Sequence, residues 1–189
     1  MTHPEAAWAE QLHTLHAQAW HRLVRGVHDR HAAARHPTLA TVSADGLPQL
    51  RTVVLRQADP TAATLQIHTN AHSSKVNELL AKPVAALHVW DARARLQMRL
   101  QASASLASGE AVAAMWAEVP TGSRTAYSST ARPGEPLQDA LAYVQTPDPE
   151  TFTVITLRLD HMDILHLGER HRRAVFSRHD AWAGQWVVP

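Results

Sequence analysis

Anion-binding side chains are concentrated in one short stretch of the first half of the chain. An apolar segment carries an arginine at each end, Arg51 and Arg56, and the apolar segment after it runs out into polar residues. Those polar residues are Thr69, Ser73, Ser74 and Lys75. Arginine and lysine cations, hydroxyls and the N–H groups at a helix start are the usual ligands of a phosphate. The spacing therefore predicts a phosphate site.

The first arginine needs an anionic partner. Successive side chains of a strand point to opposite faces. One face carries Arg51, Val53 and Leu55, and the other carries Thr52, Val54 and Arg56. Burying an unpaired guanidinium is costly. Because the local sequence offers only Asp45 and Asp59 as carboxylates, we expect a bound phosphate rather than an internal salt bridge.

These residues also fit ordinary structural roles. Arg51 and Arg56 could snorkel into water from the two ends of a strand. Ser73 and Ser74 could belong to the N-cap cluster of a surface helix. Gln97, which alternates with apolar neighbours, is typical of the solvated face of a strand. The residue types alone leave these alternatives open.

Composition and charge narrow the function classes. The chain has 189 residues, 45% hydrophobic content and a formal net charge of +1, which suits one well-cored domain and gives no electrostatic case for nucleic acid. The absence of cysteine excludes a disulfide scaffold, a thiolate metal site and a thiol nucleophile. The N-terminal residues lack a signal-peptide pattern, and no segment is apolar enough to span a bilayer. We expect a cytoplasmic protein with neither a nucleic-acid nor a membrane partner.

Fourteen histidines raise the question of a metal site. They show no His-Glu-x-x-His or other ligand spacing, and those in the first predicted helix fall mostly on its polar side. We interpret them as surface histidines and predict no metal. The segment Gly122-Ser123-Arg124 also lacks the Gly-x-Ser-x-Gly pattern of a nucleophile elbow.

The elements that position these residues follow from the hydrophobic periodicity. Apolar residues recur at steps of three and four between residues 4 and 34, which predicts an amphipathic helix within an N-terminal segment, 1–36, packed on the domain. Residues 37–189 are predicted to form one domain of many short strands without βαβ units. The predicted strands are 39–43, 48–57, 64–69, 84–90, 95–106, 152–159, 163–167 and 174–177, and the predicted helices are 73–81 and 108–118. This order favours a mainly β fold, an antiparallel barrel decorated by helices.

The pattern resembles the pyridoxamine 5′-phosphate oxidase family over residues 37–189. Members of that family carry an Arg-x-Val-x-Leu-Lys/Arg strand, a Tyr/His-Thr-Asn strand end, and Ser-x-Lys at the start of a helix. The matching residues here are Arg51, Val53, Leu55, Arg56, His68, Thr69, Asn70, Ser73 and Lys75. The next core strand is matched by Leu96-Gln97-Met98, and the chain ending by Trp182, Val187 and Pro189. The resemblance implies an FMN-binding split β-barrel, antiparallel and Greek-key-like.

The resemblance also implies a cofactor site and an assembly. It implies FMN, a homodimer with flavin sites at the subunit interface, and a flavin-dependent oxidoreductase acting on an unidentified small molecule. The implied flavin-contacting residues are Arg51, Thr52, Val53, Val54, Leu55, Arg56, His68, Thr69, Ser73, Ser74, Lys75, Gln97, Leu165 and Arg173. Those assigned to the phosphate are Arg51, Ser74, Lys75 and Arg173. Gln97 would hydrogen-bond the ring, and Leu165 stands where the family often has a tryptophan.

The substrate side departs from the family pattern. The implied substrate contacts are Arg56, Ser123, Arg170 and His171. The turn that carries the last two is one residue shorter than in the family, and Met115 and Val119 stand where its oxidases present a tyrosine and an arginine to the substrate phosphate. We therefore expect inefficient oxidation of vitamin B6 phosphates. The alternative to an enzyme is a flavin- or haem-binding store or sensor, and a deazaflavin could replace FMN.

Overall fold

A computed structural model describes residues 7–127 and 132–189. These residues form a nine-stranded sheet in which every pairing is antiparallel. The strands are β1 (Thr38–Val42), β2 (Pro48–Thr52), β3 (Leu55–Asp59), β4 (Thr64–Asn70), β5 (Val84–Asp91), β6 (Leu96–Ser108), β7 (Phe152–Leu167), β8 (His171–Ser177) and β9 (Gln185–Val187). The helices are α1 (Leu12–His28), α2 (Ser74–Ala81), α3 (Ala113–Glu118) and the single turn α4 (Thr121–Arg124). The predicted mainly β fold class is confirmed.

The sheet is not closed by strand pairing. Its strands run in the order β2-β1-β5-β6-β7-β4-β3, and β8 and β9 extend from β7. The two end strands, β2 and β3, are separated in the chain only by Val53 and Val54. The prediction of one strand over 48–57 is wrong, because the chain changes partner there: Thr52 pairs with β1, whereas Leu55 pairs with β4.

The 16-residue strand β7 organises the sheet. It pairs with β6 along its length, with β4 through its first half, and with β8 through its second half. The two strands predicted over 152–159 and 163–167 are therefore one. The register with β6 shifts where Leu159 pairs with Ala102 and His161 with Gln101, so Asp160 is the extra residue of a bulge and not part of a turn. The periodicity did not predict β9.

One face of the sheet builds the hydrophobic core, against which α1 packs. The fully buried large side chains include Leu15, Leu23, Leu39, Leu55, Leu65, Ile67, Leu79, Leu96, Met98 and Leu100. The predicted helix over 4–34 is too long. α1 ends at His28, because Asp29 has an extended backbone and its N–H donates to the carbonyl oxygen of Arg25. Before α1, Trp8 lies in a separate 3₁₀ turn. Residues 1–6 of the predicted segment lie outside the described residues.

No helix within residues 7–127 and 132–189 is long and apolar enough to cross a membrane.

Candidate functional site

Hydroxyl and ammonium groups converge where β4 leads into α2. Lys75 in the first turn of α2 donates from Nζ to Oγ1 of Thr69 at the end of β4 (2.9 Å), and this oxygen lies 3.1 Å from Oγ of Ser73. Thr69 and Ser73 are each 6% exposed. Ser73 occupies the N-cap position but makes no side-chain capping bond, so ordinary capping does not explain its burial. Ser74 is exposed at the start of the helix.

Arg51 reaches the same place from β2, but a carboxylate already holds it. Its Nη2 donates to Oε2 of Glu78 in α2 (2.8 Å). Its Nη1 donates to the hydroxyl of Thr41, which itself donates to Glu78. Arg51 therefore has the internal salt bridge that we expected to be less favourable than a phosphate, because the fold supplies a carboxylate from 27 positions along the chain. Binding of a phosphate by Arg51 in addition stays a prediction.

These residues, Arg51, Thr69, Ser73, Lys75 and Glu78, form what we call the α2 cluster. Its two cations face one carboxylate. Burial lowers the pKa of Lys75, Arg51 lowers it further, and Glu78 opposes the shift. A half-buried ammonium that donates to a hydroxyl lacks a full counter-charge. A phosphate would supply that charge, and the first-turn N–H groups of α2 would add donors. The residues present therefore fit the phosphate of FMN.

An aromatic and cationic group adjoins the α2 cluster. The ring of His68 meets Phe152 and Tyr127 edge-on, with centroids 4.9 and 6.2 Å away, and Arg56 Nη2 donates to the Tyr127 hydroxyl (3.1 Å). Burial, and then the charge of Arg56, lower the pKa of His68 to about 4, so the imidazole is neutral at neutral pH. The Nε of Arg56 is buried without a hydrogen-bond partner in the described structure.

Three further predicted residues lie side by side on neighbouring strands. Gln97 of β6 pairs with Leu165 of β7, which pairs with Arg173 of β8; we call them the β6–β8 row. The guanidinium of Arg173 donates to both oxygens of Asp163 (3.0 and 2.8 Å), and Arg99 donates to the same carboxylate. The hydrogen bond and charge of Asp163 raise the pKa of Arg173.

The β6–β8 row and the α2 cluster are separate groups of contacts. Lys75 donates to Thr69, whereas Arg173 donates to Asp163. Thr69 pairs with Thr153, and Thr153 pairs with Ser108, eleven positions along β6 from Gln97. Among the described residues of one chain, the predicted flavin residues therefore form two groups.

The predicted substrate residues do not converge on one described pocket. Met115 and Val119 belong to a small apolar cluster, and Val119 is 7% exposed. Ser123 lies in the single turn α4, while Arg170 and His171 are exposed at the β7–β8 turn. In the part of the chain that the structure describes, no group of three or more His, Asp or Glu side chains is placed to hold a metal ion.

Three residues of these groups were missed by the sequence reasoning, namely Glu78, Tyr127 and Asp163. One signal was available for Glu78, because it follows Lys75 by three positions and so shares its helix face. Tyr127 and Asp163 reach their partners through strand pairing and loop packing, for which the local sequence carries no comparable signal.

The family of the chain follows from a match over residues 6–108, which covers more than half of it. Those residues match the model of the FMN-binding domain of pyridoxamine 5′-phosphate oxidase. The chain belongs to this family. The matched segment contains the whole α2 cluster and Gln97, whereas Leu165 and Arg173 lie beyond it. The predicted family and the predicted cofactor, FMN, are confirmed.

Individual relatives of this FMN-binding protein agree with this family assignment. The pyridoxine/pyridoxamine 5′-phosphate oxidase of Rhizobium meliloti is 34% identical over 164 residues, 86% of this chain and 68% of that protein. The protein of the same name from Microcystis aeruginosa is 41% identical over 73 residues, 39% of this chain. The chain spans 33% of the Microcystis relative and 48% of that from Chromohalobacter salexigens.

A solved structure supports the fold. A pyridoxamine 5′-phosphate oxidase-related, FMN-binding protein from Nostoc punctiforme superposes with a TM-score of 0.77 at 26% identity, covering 92% of this chain and 96% of that one. The predicted split-barrel fold of the family is confirmed, with the sheet left open between β2 and β3.

Proposed function

We propose that the protein is an FMN-dependent oxidoreductase acting on a small molecule. The observation that carries this proposal is the α2 cluster, in which Arg51 pairs with Glu78 while Lys75, in the first turn of the helix, donates to the hydroxyl of Thr69. FMN supplies two-electron redox chemistry when bound, and the protein contributes its binding and orientation. A cytoplasmic location is part of the proposal, in keeping with a chain without cysteine.

The side chains around the α2 cluster have separate roles in this proposal. Lys75 and the hydroxyls of Thr69 and Ser73 hold the phosphate. The neutral imidazole of His68 lines the flavin site without adding a charge. Arg56 has an unused buried Nε–H, which can donate to an anionic group of the flavin or of the substrate.

We propose a homodimer in which the α2 cluster of one subunit faces the β6–β8 row of its partner. Among the described residues of one chain the two groups have separate contacts, since Lys75 donates to Thr69 and Arg173 donates to Asp163. This supports the arrangement, because a flavin at the subunit interface could contact both groups. Large apolar side chains also face solvent on the single chain, including Leu50 at 67% and Leu80 at 68% exposure. Exposed apolar side chains of this size suit a subunit interface.

Mixing two defective variants tests the shared site. Lys75→Gln and Arg173→Gln dimers should each bind FMN weakly, whereas the mixture should recover tight sites after subunit exchange. In a heterodimer one site collects both substitutions and the other collects neither, so about a quarter of all sites should be intact. Quenching of flavin fluorescence on titration measures that fraction.

Two outcomes would contradict the shared site. Exchange confirmed by mass spectrometry without recovery of tight sites would place both groups in the same subunit's site. A monomeric holoprotein in light scattering at micromolar concentration would remove the dimer altogether.

We also propose that vitamin B6 phosphates are poor substrates. Met115 and Val119 pack into an apolar cluster at the positions where the resemblance calls for phosphate ligands. Each missing charge-assisted contact costs on the order of 1.5–3 kcal/mol, and lost remote binding also lowers the chemical step. The FMN-loaded protein should therefore oxidise pyridoxine 5′-phosphate with a kcat/KM well below about 10⁴ M⁻¹s⁻¹.

Steady-state oxidation of pyridoxine 5′-phosphate and of pyridoxine, measured side by side, checks this prediction. The phosphate should confer little advantage. A kcat/KM in the ordinary enzyme range, together with a strong preference for the phosphorylated substrate, would show that another part of the protein binds the phosphate. Val119→Arg is a poor restoring variant, because it would place a charge at a position only 7% exposed.

One observation favours a second candidate, a flavin-binding store or sensor without turnover. The substrate-side positions are filled by apolar packing around Val119. Reduction of the bound flavin by NADH or NADPH, or oxidation of an amine, faster than an equal amount of free FMN supports the enzyme. Absence of both activities with stoichiometric FMN supports the store or sensor. The absorption spectrum of the purified protein separates flavin from haem.

A further inference from the structure

A second concave surface of this protein lies away from both groups described above. A cavity of about 1090 Å³ opens between α1, the β5–β6 turn and the end of β7. His166 lines it, one position beyond Leu165 in β7 and so on the opposite face of the sheet. No residue of the α2 cluster or of the β6–β8 row lines this cavity. It is therefore separate from the proposed flavin site.

The cavity contains a buried polar atom without a partner. His166 is 4% exposed, and its Nδ1 has no hydrogen-bond partner in the described structure. The ring lies edge-on to Trp8, with centroids 5.1 Å apart. Gly168 leaves room for it, because a Cβ there would come within 2.8 Å of Cε1 and 3.2 Å of Nδ1. Buried polar groups are nearly always hydrogen-bonded, so Nδ1 is available to a ligand that residues 7–127 and 132–189 do not supply.

Cations surround this imidazole. Burial lowers the pKa of His166, and the charges of Arg172, Arg95 and Arg22 lower it further. The ring therefore stays neutral at neutral pH and can offer an N–H without adding a charge. A negatively charged oxygen would be stabilised both by that N–H and by the guanidinium groups.

The guanidinium groups around the cavity are only partly paired. Arg22 forms an ion pair with Asp91 (3.2 Å). Arg93 and Arg95, both exposed, line the cavity and make no ion pair with any residue in 7–127 or 132–189. Guanidinium groups bind phosphate oxygens in a bidentate manner. Two such groups beside an unpaired imidazole can bind a small anion.

An aromatic side chain completes the lining. The half-buried indole of Trp8 lines the cavity beside His166, and it offers an apolar surface to the carbon skeleton of a ligand. Trp90 borders the same cavity, but it pairs with Gln97, so its side chain lies on the other face of the sheet. We propose that this cavity is a second ligand site, distinct from the flavin site, which binds a phosphate monoester of a small molecule through Arg95, Arg93 and His166.

AMP is the probe for this site, and adenosine is its phosphate-free counterpart. Both are titrated by calorimetry at fixed ionic strength into protein saturated with FMN, so that the flavin phosphate site is occupied. AMP should bind saturably, once per chain, and adenosine at least about tenfold more weakly, because it lacks the charge-assisted contacts. The nitrogen chemical shifts of the His166 ring should change with AMP.

Two variants and one control assign the binding to the cavity. Arg95→Gln should weaken AMP at least about fivefold, and Gly168→Ala should also weaken it by displacing the His166 ring. Arg158→Gln removes an exposed arginine of β7 that does not line the cavity, and should leave AMP binding unchanged.

Three results would overturn the proposal. They are the absence of saturable AMP binding, equal affinity for adenosine, and unchanged AMP binding in both Arg95→Gln and Gly168→Ala. The absorption of the bound FMN reports the flavin site in the same samples. A failure of this second site is therefore distinguishable from a failure of the flavin site.

Discussion

Replacing Lys75 with glutamine should weaken FMN binding about tenfold to a hundredfold while the fold stays intact. Lys75 is the cation of the α2 cluster whose Nζ donates to a hydroxyl, Thr69 Oγ1, and not to a carboxylate. Its removal takes away one charge-assisted contact to the phosphate, worth on the order of 1.5–3 kcal/mol. Glutamine keeps much of the length and polarity of lysine, so α2 should still begin at Ser74. Calorimetric titration with FMN at fixed ionic strength measures the change.

Two controls separate the phosphate from the rest of the flavin. Riboflavin lacks the phosphate, so its affinity should hardly differ between the wild type and Lys75→Gln. Lys82→Gln removes the exposed lysine at the other end of the same helix and should bind FMN as the wild type does. Equal weakening for FMN and riboflavin would mean that Lys75 supports the fold and not the phosphate. Unchanged FMN affinity would take the α2 cluster out of the flavin site.

The α2 cluster could be predicted in large part because its ligands are local. Thr69, Ser73 and Lys75 lie a few positions apart, across a strand end and a helix start. Their proximity depends on that one junction and hardly on the rest of the fold. Polar residues after an alternating apolar run, followed by good helix formers, mark such a junction in any sequence. The helix was predicted over 73–81 and begins at Ser74.

Partners from distant elements could not be predicted in the same way. The carboxylate that holds Arg51 comes from α2, and a search of neighbouring sequence for acidic residues therefore failed. The position of Arg173 is a second example, because only the register of β6, β7 and β8 shows that Arg173 lies in one row with Leu165 and Gln97. Alternation determines which face a side chain occupies, but it carries no information about the neighbouring strand.

Strand boundaries are equally difficult to predict from the sequence. Asp160 and His161 together interrupt the alternation of apolar and polar residues, and a bulge and a turn produce the same interruption in sequence. The break between β2 and β3 at Val53 and Val54 is not visible in the sequence, since both residues suit a strand. There the chain passes from β1 to β4 as its partner. This change leaves the sheet open and places Arg51 and Arg56 on two strands.

Arg51 should consequently matter more for stability than for FMN affinity. In Arg51→Ala the carboxylate of Glu78, 9% exposed, would lose its ion pair and keep the hydroxyl of Thr41 and the charge of Lys75. Removing one partner of a buried ion pair costs about 3–5 kcal/mol, and the side chain of Arg51 is 21% exposed, so we expect the free energy of unfolding to fall by about 2–4 kcal/mol. Urea unfolding without added FMN measures it.

The second member of the pair provides the decisive comparison. Arg51→Ala combined with Glu78→Gln removes the buried carboxylate charge that has lost its ion pair, so the double variant should regain at least about half of the lost stability. Arg99→Ala removes an arginine that is also paired with a carboxylate, that of Asp163, but whose side chain is 52% exposed. This variant should lower the free energy of unfolding by less than about 1 kcal/mol. If Arg51→Ala unfolds at the same urea concentration as the wild type but loses FMN, the guanidinium serves the phosphate and its bond to Glu78 adds nothing to the fold. If the double variant is no more stable than Arg51→Ala, lost packing, and not the stranded carboxylate, is the cause.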